Sequence, residues 1–256
     1  MRIIVCIKQV TDTAAKIRIK DGAVDAQGSS RILNPYDEFA IEEAIRIREK
    51  NPGTEITVLS LGPENFRDTL RTGLAMGADK AVHLLDPAFD ALDHLGVAHV
   101  LAQAIRTLGY DLVFCGRQAV DEDMAHVGPS VAVLLGIPYV TVITQLQFSE
   151  DYKQAVVTRQ IEGGSEVIES ALPLLLSCQK GLNQPRLPSL RGIMAAKKKE
   201  IQVLDATAID LAGVSCRRTR QIQLELPPQQ RKGRILQEPD AVAELVKSLR
   251  EVDKVV

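Results

Sequence analysis

From residue 2 to about residue 135 the chain alternates short apolar, β-branched runs with amphipathic stretches, and this restricts its fold more sharply than any other property. The runs are Arg2–Ile7, Glu55–Leu61, Lys80–Leu84 and Asp111–Cys115; the helical stretches are Tyr36–Lys50, Pro63–Met76, Leu92–Leu108 and Asp123–Leu135. Strand and helix periods taking turns predict an α/β fold: a parallel, doubly wound sheet with helices on both faces. Such sheets bind ligands beyond the carboxyl ends of their strands. The punctuation agrees. Asn34-Pro35 and Gly62-Pro63 set proline near a helix start, and Gly53, Gly77, Gly109 and Gly136 fall where helices should stop. Asp21-Gly22, between Lys16–Lys20 and Ala23–Asp25, is a two-residue hairpin signal inside the first crossover.

Beyond Pro138 the pattern becomes β-rich, with runs at Tyr139–Gln147, Tyr152–Gln160, Glu166–Ala171 and Leu174–Cys178. These predict a strand added to the sheet, followed by antiparallel returns. From residue 183 the chain is loop-like, with prolines at 185, 188, 227, 228 and 239, a short helical stretch Leu190–Lys199 and a final amphipathic helix Asp240–Val252. A segment so poor in apolar runs holds no core of its own and is expected to lie on something larger, such as a second subunit. The expected division is a nucleotide-binding α/β domain over 1–182, a partner-recognition loop and short helix over 183–200, and a C-terminal arm over 201–256.

A net charge of -2 gives no overall field for nucleic acid, so any basic function falls to a local patch such as Lys197, Lys198 and Lys199. The cysteines at 6, 115, 178 and 216 lack metal-site spacing and read as buried thiols, and His94 and His99 are five apart rather than at the i, i+4 spacing of a two-histidine site. No metal is expected. The opening MRIIVCIKQV runs straight into a strand pattern, and no apolar window approaches the roughly 20 residues of a membrane span; a cytoplasmic protein is expected.

Three segments carry candidate chemistry. In Phe114 to Pro129 a strand end leads through a polar loop into a helix, so the amides of Met124, Ala125, His126 and Val127 are placed to cradle a phosphate. The competing reading makes Asp121, Glu122 and Asp123 ordinary helix caps. In the first strand, Cys6, Ile7 and Lys8 end near that loop, where backbone groups suit an adenine edge; Cys6 itself reads first as core packing, and Asn34 first as a helix cap and second as a ribose contact. In Arg186 to Lys199 a proline-braced loop enters a short helix with apolar Leu190, Ile193 and Met194 and a basic end at Lys197, Lys198 and Lys199. An apolar anchor with a charged rim suits protein docking, against the plainer reading of lysines at a helix C-terminus. The GxGxxG, GxxxxGK[ST] and GxSxG motifs do not occur, so no catalytic residue is assigned.

These segments resemble the β-subunit family of electron-transfer flavoproteins over roughly residues 1 to 250. The resemblance rests on Lys8-Gln9-Val10 with Lys16-Ile17-Arg18, Asn34-Pro35-Tyr36 with Ala40-Ile41-Glu42-Glu43-Ala44, and Leu61-Gly62-Pro63. It continues through Thr69-Leu70-Arg71-Thr72, Ala75-Met76-Gly77-Ala78-Asp79, Gly116-Arg117-Gln118-Ala119-Val120-Asp121 and Pro185-Arg186 to Lys199. It implies an adenine-nucleotide α-hydrolase-like fold and an electron-carrier heterodimer whose larger α subunit holds most of the redox FAD. The small subunit then binds a structural AMP against residues matching Cys6, Ile7, Lys8, Asn34, Leu61, Gly116, Asp121 and Asp123 to Val127. The Leu190–Lys199 stretch matches a loop that anchors an acyl-CoA dehydrogenase, with Leu190 as chief anchor; the C-terminal arm wraps the partner, and a membrane quinone oxidoreductase is a further acceptor reached by protein contact.

A second branch of that family, the electron-bifurcating members, holds a second FAD that reacts with NADH and tends to read DGDTAQVGP where AMP binders read DDDxNQTGQ. Residues 121–129, DEDMAHVGP, end like the former but lack its glycine and threonine; Leu95-Gly96 looks like the AMP type, and Asp12-Thr13 like the other. Glu122 adds bulk and charge where glycine lets a pyrophosphate approach, which favours AMP. Two rivals remain. An ATP-using ligase or hydrolase requires a loop such as SGGxDS that Lys8-Gln9-Val10-Thr11-Asp12 does not supply, and a self-associating stress protein leaves the arm unexplained.

Overall fold

The computed structural model describes residues 1–20, 22–25, 28–90, 92–209, 217–226, 233, 235–237, 239–252 and 254–255. Asp21, Cys216, Pro227 and Pro228 lie outside them. Along the chain, β1 (Arg2–Cys6), β2 (Gln9–Thr11), β3 (Ile19–Lys20), β4 (Ala23–Val24) and β5 (Arg31–Leu33) precede α1 (Pro35–Lys50). Then follow β6 (Glu55–Leu61), α2 (Arg67–Met76), β7 (Lys80–Leu84), α3 (His94–Leu108), β8 (Leu112–Gly116), α4 (Val127–Leu135), β9 (Tyr139–Phe148), β10 (Gln154–Ile161), β11 (Gly164–Ala171) and β12 (Leu174–Cys178). The last elements are α5 (Leu190–Lys198), β13 (Gln202–Leu204) and α6 (Ala241–Lys247).

A nine-stranded sheet runs in the order β11-β10-β9-β12-β8-β1-β6-β7-β13. Its centre is parallel, β1 pairing with both β6 and β8. Because a central parallel strand is covered on both faces, it needs apolar residues at every position rather than every second one. In β1, Ile3 and Val5 enter the core under α1 and α2, whereas Ile4 enters the core under α3 and α4. From β1 the crossovers through α1 and α2 carry the chain outward to β6 and β7; α3 then returns it past β6 and β1 to β8. The direction of winding thus reverses between β1 and β8, which opens a crevice beyond their carboxyl ends. Cys6 and Cys115 are register partners at that point.

The first helix forms where expected for identifiable reasons. Pro35 occupies its first turn, Asp37 and Glu38 face its positive end, and Arg48 and Lys50 its negative end. The hairpin β3–β4 turns at Gly22, whose φ of 74° suits glycine. The run at 174–178 differs from expectation. It is not an antiparallel return: β10 and β11 are antiparallel, but β12 inserts between β9 and β8, parallel to both. All five residues of β12 are buried, the mark of an interior parallel strand, and the apolar run Leu174 to Leu176 was its signal in the sequence.

Residues 1–17 and 25–222 form one compact unit; residues 18–24 and 223–256 form another, containing the β3–β4 hairpin and α6, which runs on through one turn of π-helix at Ser248–Val252. The first unit therefore takes in α5 and also β13, which had no sequence signal and pairs in parallel with β7. Helix α5 sits against α2. Arg71 Nη1 donates to the carbonyl oxygens of Ala196 and Lys199, and Lys199 Nζ donates to Ala78 O at 2.7 Å. The preceding loop is held on α1 by Arg186, which makes a two-pronged pair with buried Glu42 (2.8 and 2.9 Å) and a contact with Glu49 at 2.7 Å. A Cβ at Gly192 would lie 2.4 Å from Ala75 O, so the two helices meet too closely for any other residue. Gly192→Ala should therefore cost about 1–3 kcal/mol, read as a lower urea midpoint with an unchanged m-value.

Candidate functional site

The crevice at the switch point has a volume of about 430 Å³ and is walled by the end of β1, the start of α1, the start of α3, the β8–α4 loop and residues 217–221. Its floor is organised by Asp37, in the first turn of α1. The carboxylate accepts from Lys8 N at 2.7 Å, Gly116 N at 3.0 Å and Asn34 Nδ2 at 2.8 Å, so one side chain joins the ends of β1 and β8. Gly116 has no alternative, because a Cβ there would lie 2.2 Å from Asp37 Oδ1. Burial pushes the Asp37 carboxyl up to about 7, against the opposing pull of its hydrogen bonds from Lys8, Asn34 and Gly116 and of the Lys8 charge.

Asn34 does not cap α1. Its Nδ2 also donates to Gln118 O at 2.9 Å and its Oδ1 accepts from Val120 N at 3.2 Å, so it braces the loop after β8. The physical reason is burial: a fully enclosed amide must satisfy both its donor and its acceptor, and the loop supplies partners for each.

The helix expected from Asp123 begins at Val127, and none of Asp121, Glu122 and Asp123 caps it. The acids are engaged elsewhere. Lys8 Nζ lies 3.0 Å from both Asp121 Oδ1 and Glu122 Oε2, His94 Nε2 lies 3.2 Å from Glu122 Oε2, and Gln118 Nε2 donates to Asp123 Oδ1 at 2.6 Å. Burial raises the Glu122 carboxyl, but the charge and hydrogen bond of Lys8, with those of His94, outweigh it and hold the group below the usual glutamate range. Between these pairs and α4 the backbone departs from helix: Asp123 and Ala125 are left-handed, each with φ 51°, and Met124 between them is not. Alternating hands are the arrangement by which successive N–H groups turn to one side in anion-binding concavities; the Asp123 N–H itself is already donated to Ala119 O at 2.8 Å. This loop replaces the plain helix start expected here.

Of the residues singled out in the sequence, Cys6, Ile7, Lys8, Asn34, Leu61 and Gly116 line the crevice, as do Met124, Ala125, His126 and Val127. Asp121 and Asp123 do not; Asp121 pairs with Lys8 and Asp123 accepts from Gln118 Nε2. Lys8 offers its side chain to the acids and its backbone N–H to Asp37, while its carbonyl accepts from Asn34 N at 2.9 Å. Burial, then the charge of Asp37, pushes the Cys6 thiol up to about 12, consistent with a packing role. The sequence reading missed Asp37, Asp93, His94 and Arg217 as crevice residues. Asp37 had a signal, being an acid in the first turn of the helix that Asn34-Pro35 opens; Arg217 had none. On a separate surface, Leu190 and Met194 stand 82% and 67% exposed, with Ile193 beside them and Lys197 and Lys198 exposed at the helix end. Lys199 is the exception, tied to Ala78.

A doubly wound sheet with a crevice at its switch point places the chain among ligand-binding α/β proteins. The sequence model of the electron transfer flavoprotein domain matches residues 21–209. The electron transfer flavoprotein subunit beta of Bacillus subtilis is 40% identical over 260 residues, covering 100% of both chains. That of Megasphaera elsdenii is 39% identical over 252 residues, 94% of this chain and 93% of its own. The caffeyl-CoA reductase-Etf complex subunit CarD of Acetobacterium woodii is 44% identical over 218 residues, 84% of this chain and 82% of its own. The chain belongs to the electron-transfer flavoprotein β-subunit family, the small subunits of electron carriers. A β subunit implies an α partner.

Among the described residues no helix is long and apolar enough to cross a membrane. The Asp37 linkage gives a pH test. The folded carboxyl titrates near 7 and the unfolded one near 4, so the stability tied to its proton is complete below about pH 4. It declines as pH rises and is lost above about pH 7. Between pH 5 and 8, Asp37→Asn should lose less stability than the parent, by on the order of 2 kcal/mol; equal pH slopes in urea unfolding would show an ionised Asp37 throughout.

Proposed function

We propose that this subunit binds AMP as a structural ligand, supports an α subunit that carries the redox FAD, and docks an acyl-CoA dehydrogenase-type donor through α5. The observation that carries the AMP reading is Glu122, fixed by Lys8 and His94 on the crevice wall beside the 123–126 concavity. The concavity suits one phosphate. A second phosphate joined to it would meet a carboxylate already held in its ionised form, and like charges at a half-exposed position repel by about 1 kcal/mol or more, less what the paired Lys8 offsets.

Gly128 occurs in the motifs of both branches and so does not discriminate between them. A Cβ at Gly128 would lie 2.6 Å from Cys115 Sγ, so this glycine serves packing between α4 and β8. No side chain of this subunit needs to transfer a proton. Its residues bind and orient; the FAD expected in the α subunit supplies the electron chemistry. Exposed Leu190, Ile193 and Met194 give a docking face its apolar anchor, and Lys197 and Lys198 a steering rim.

Denaturing the purified heterodimer and quantifying what it releases tests the ligand: one FAD and one AMP are expected, whereas two FAD and no AMP favour the NADH-reacting alternative. Leu190→Ala should slow electron acceptance from the dehydrogenase by about tenfold or more, the scale of a lost anchor residue, with released FAD and AMP unchanged. Transfer at the parent rate in a reconstituted assay would remove α5 from the docking face.

A further inference from the structure

The cations around the crevice are mostly occupied by the protein itself. Lys8 is paired with Asp121 and Glu122; Arg117 lies over the Tyr36 ring and donates to Gln118 Oε1 and Gln179 Oε1. Arg217 differs. It lines the same crevice together with Thr219, its Nε donates to Thr219 O at 3.0 Å, and among the described residues it makes no ion pair.

The stretch of chain carrying it is fastened by Asp93. Asp93 Oδ1 accepts from Gly96 N at 3.0 Å as the cap of α3, while Oδ2 accepts from Arg218 N at 2.7 Å, Thr219 N at 3.0 Å and Thr219 Oγ1 at 3.3 Å. The Gly96 amide first, then those of Arg218 and Thr219, hold the Asp93 carboxyl well below the usual aspartate range, so it stays an acceptor at neutral pH. This fastening lies beside the phosphate loop: the next residue, His94, contacts Glu122, and its ring centroid is 6.3 Å from that of His126.

We propose that residues 217–221 form a wall of the nucleotide site, in which Arg217 binds the ligand's phosphate together with the 123–126 concavity and Asp93 is the positioning residue that holds this wall in place. The guanidinium fork matches phosphate oxygens geometrically, and a loop already tied down loses little freedom when the ligand arrives. The proposal rests on the AMP reading above and adds to it a residue from the part of the chain assigned to the C-terminal arm.

The test uses the full-length protein in its native assembly, stripped of nucleotide and titrated calorimetrically with AMP and with adenosine. The parent should bind AMP more tightly than adenosine. Arg217→Gln should weaken AMP about 10- to 100-fold, the scale of a charge-assisted hydrogen bond, while adenosine changes less than about twofold. Arg217→Lys should recover part of the loss as a point charge without the fork. Asp93→Asn keeps a good helix cap but turns an amide toward two N–H donors; it should weaken AMP by about tenfold, again with the larger loss on the phosphate-bearing ligand. No loss in Arg217→Gln, or equal losses for AMP and adenosine, overturns the phosphate contact. Failure of the unaltered protein to bind AMP is read before any variant and overturns the AMP reading itself.

Discussion

A single buried carboxylate holds the working end of this fold together. Two parallel strands that end side by side leave backbone N–H groups pointing out of the sheet with no ladder partner. Asp37 takes one such group from Lys8 and one from Gly116, and a side-chain amide from Asn34. Asn34 in turn takes the backbone of Gln118 and Val120. The β8–α4 loop is therefore set by a chain of hydrogen bonds that begins in the first turn of α1. Its unusual features follow: Gly116 must lack a side chain, and the Asp37 carboxyl prefers its proton more than an exposed one.

The loop so placed is strained for L-residues, since the left-handed region costs roughly 1–2 kcal/mol at a residue such as Ala125. Strain of this kind persists when surrounding bonds over-determine it. Here the Lys8 bridge to Asp121 and Glu122, the His94 contact and the Gln118–Asp123 bond do so. A row of acids that resembles a solvated helix cap in the sequence is instead the brace of a loop with left-handed turns at Asp123 and Ala125.

What the sequence discloses and what it withholds divides along physical lines. The strands β1, β6, β7 and β8 are short, largely apolar runs and the helices α1 and α3 carry their own start and stop residues, so local pattern defines them; the reversal between β1 and β8 appears only in the strand order of the folded sheet. The crevice residues at strand ends follow from that order as well. β13 is legible only after the sheet exists, because a three-residue edge strand gains its pairing from β7 and not from its own composition. The early helix start at Asp123 and the capping role of Asn34 fail for a common reason. Both assume that polar side chains satisfy the nearest backbone, whereas Asn34 reaches Gln118, 84 positions away, Asp121 and Glu122 reach Lys8, 113 and 114 away, and Asp123 turns back to the side chain of Gln118. Arg217 is invisible for the same cause: its segment is held by the folded carboxylate of Asp93, 125 positions before Arg218.

Helix α5 brings its apolar side chains to the surface on a support that is already rigid. Arg71 ties down its carboxyl end, Arg186 the loop before it, and Gly192 lets its backbone rest directly on α2. Any protein meeting this face gains a few well-ordered side chains over a small area and gives up little conformational freedom in doing so. Small, pre-ordered contacts produce recognition without long residence. A carrier built this way can be selective about which protein it touches and still be released soon enough to meet the next.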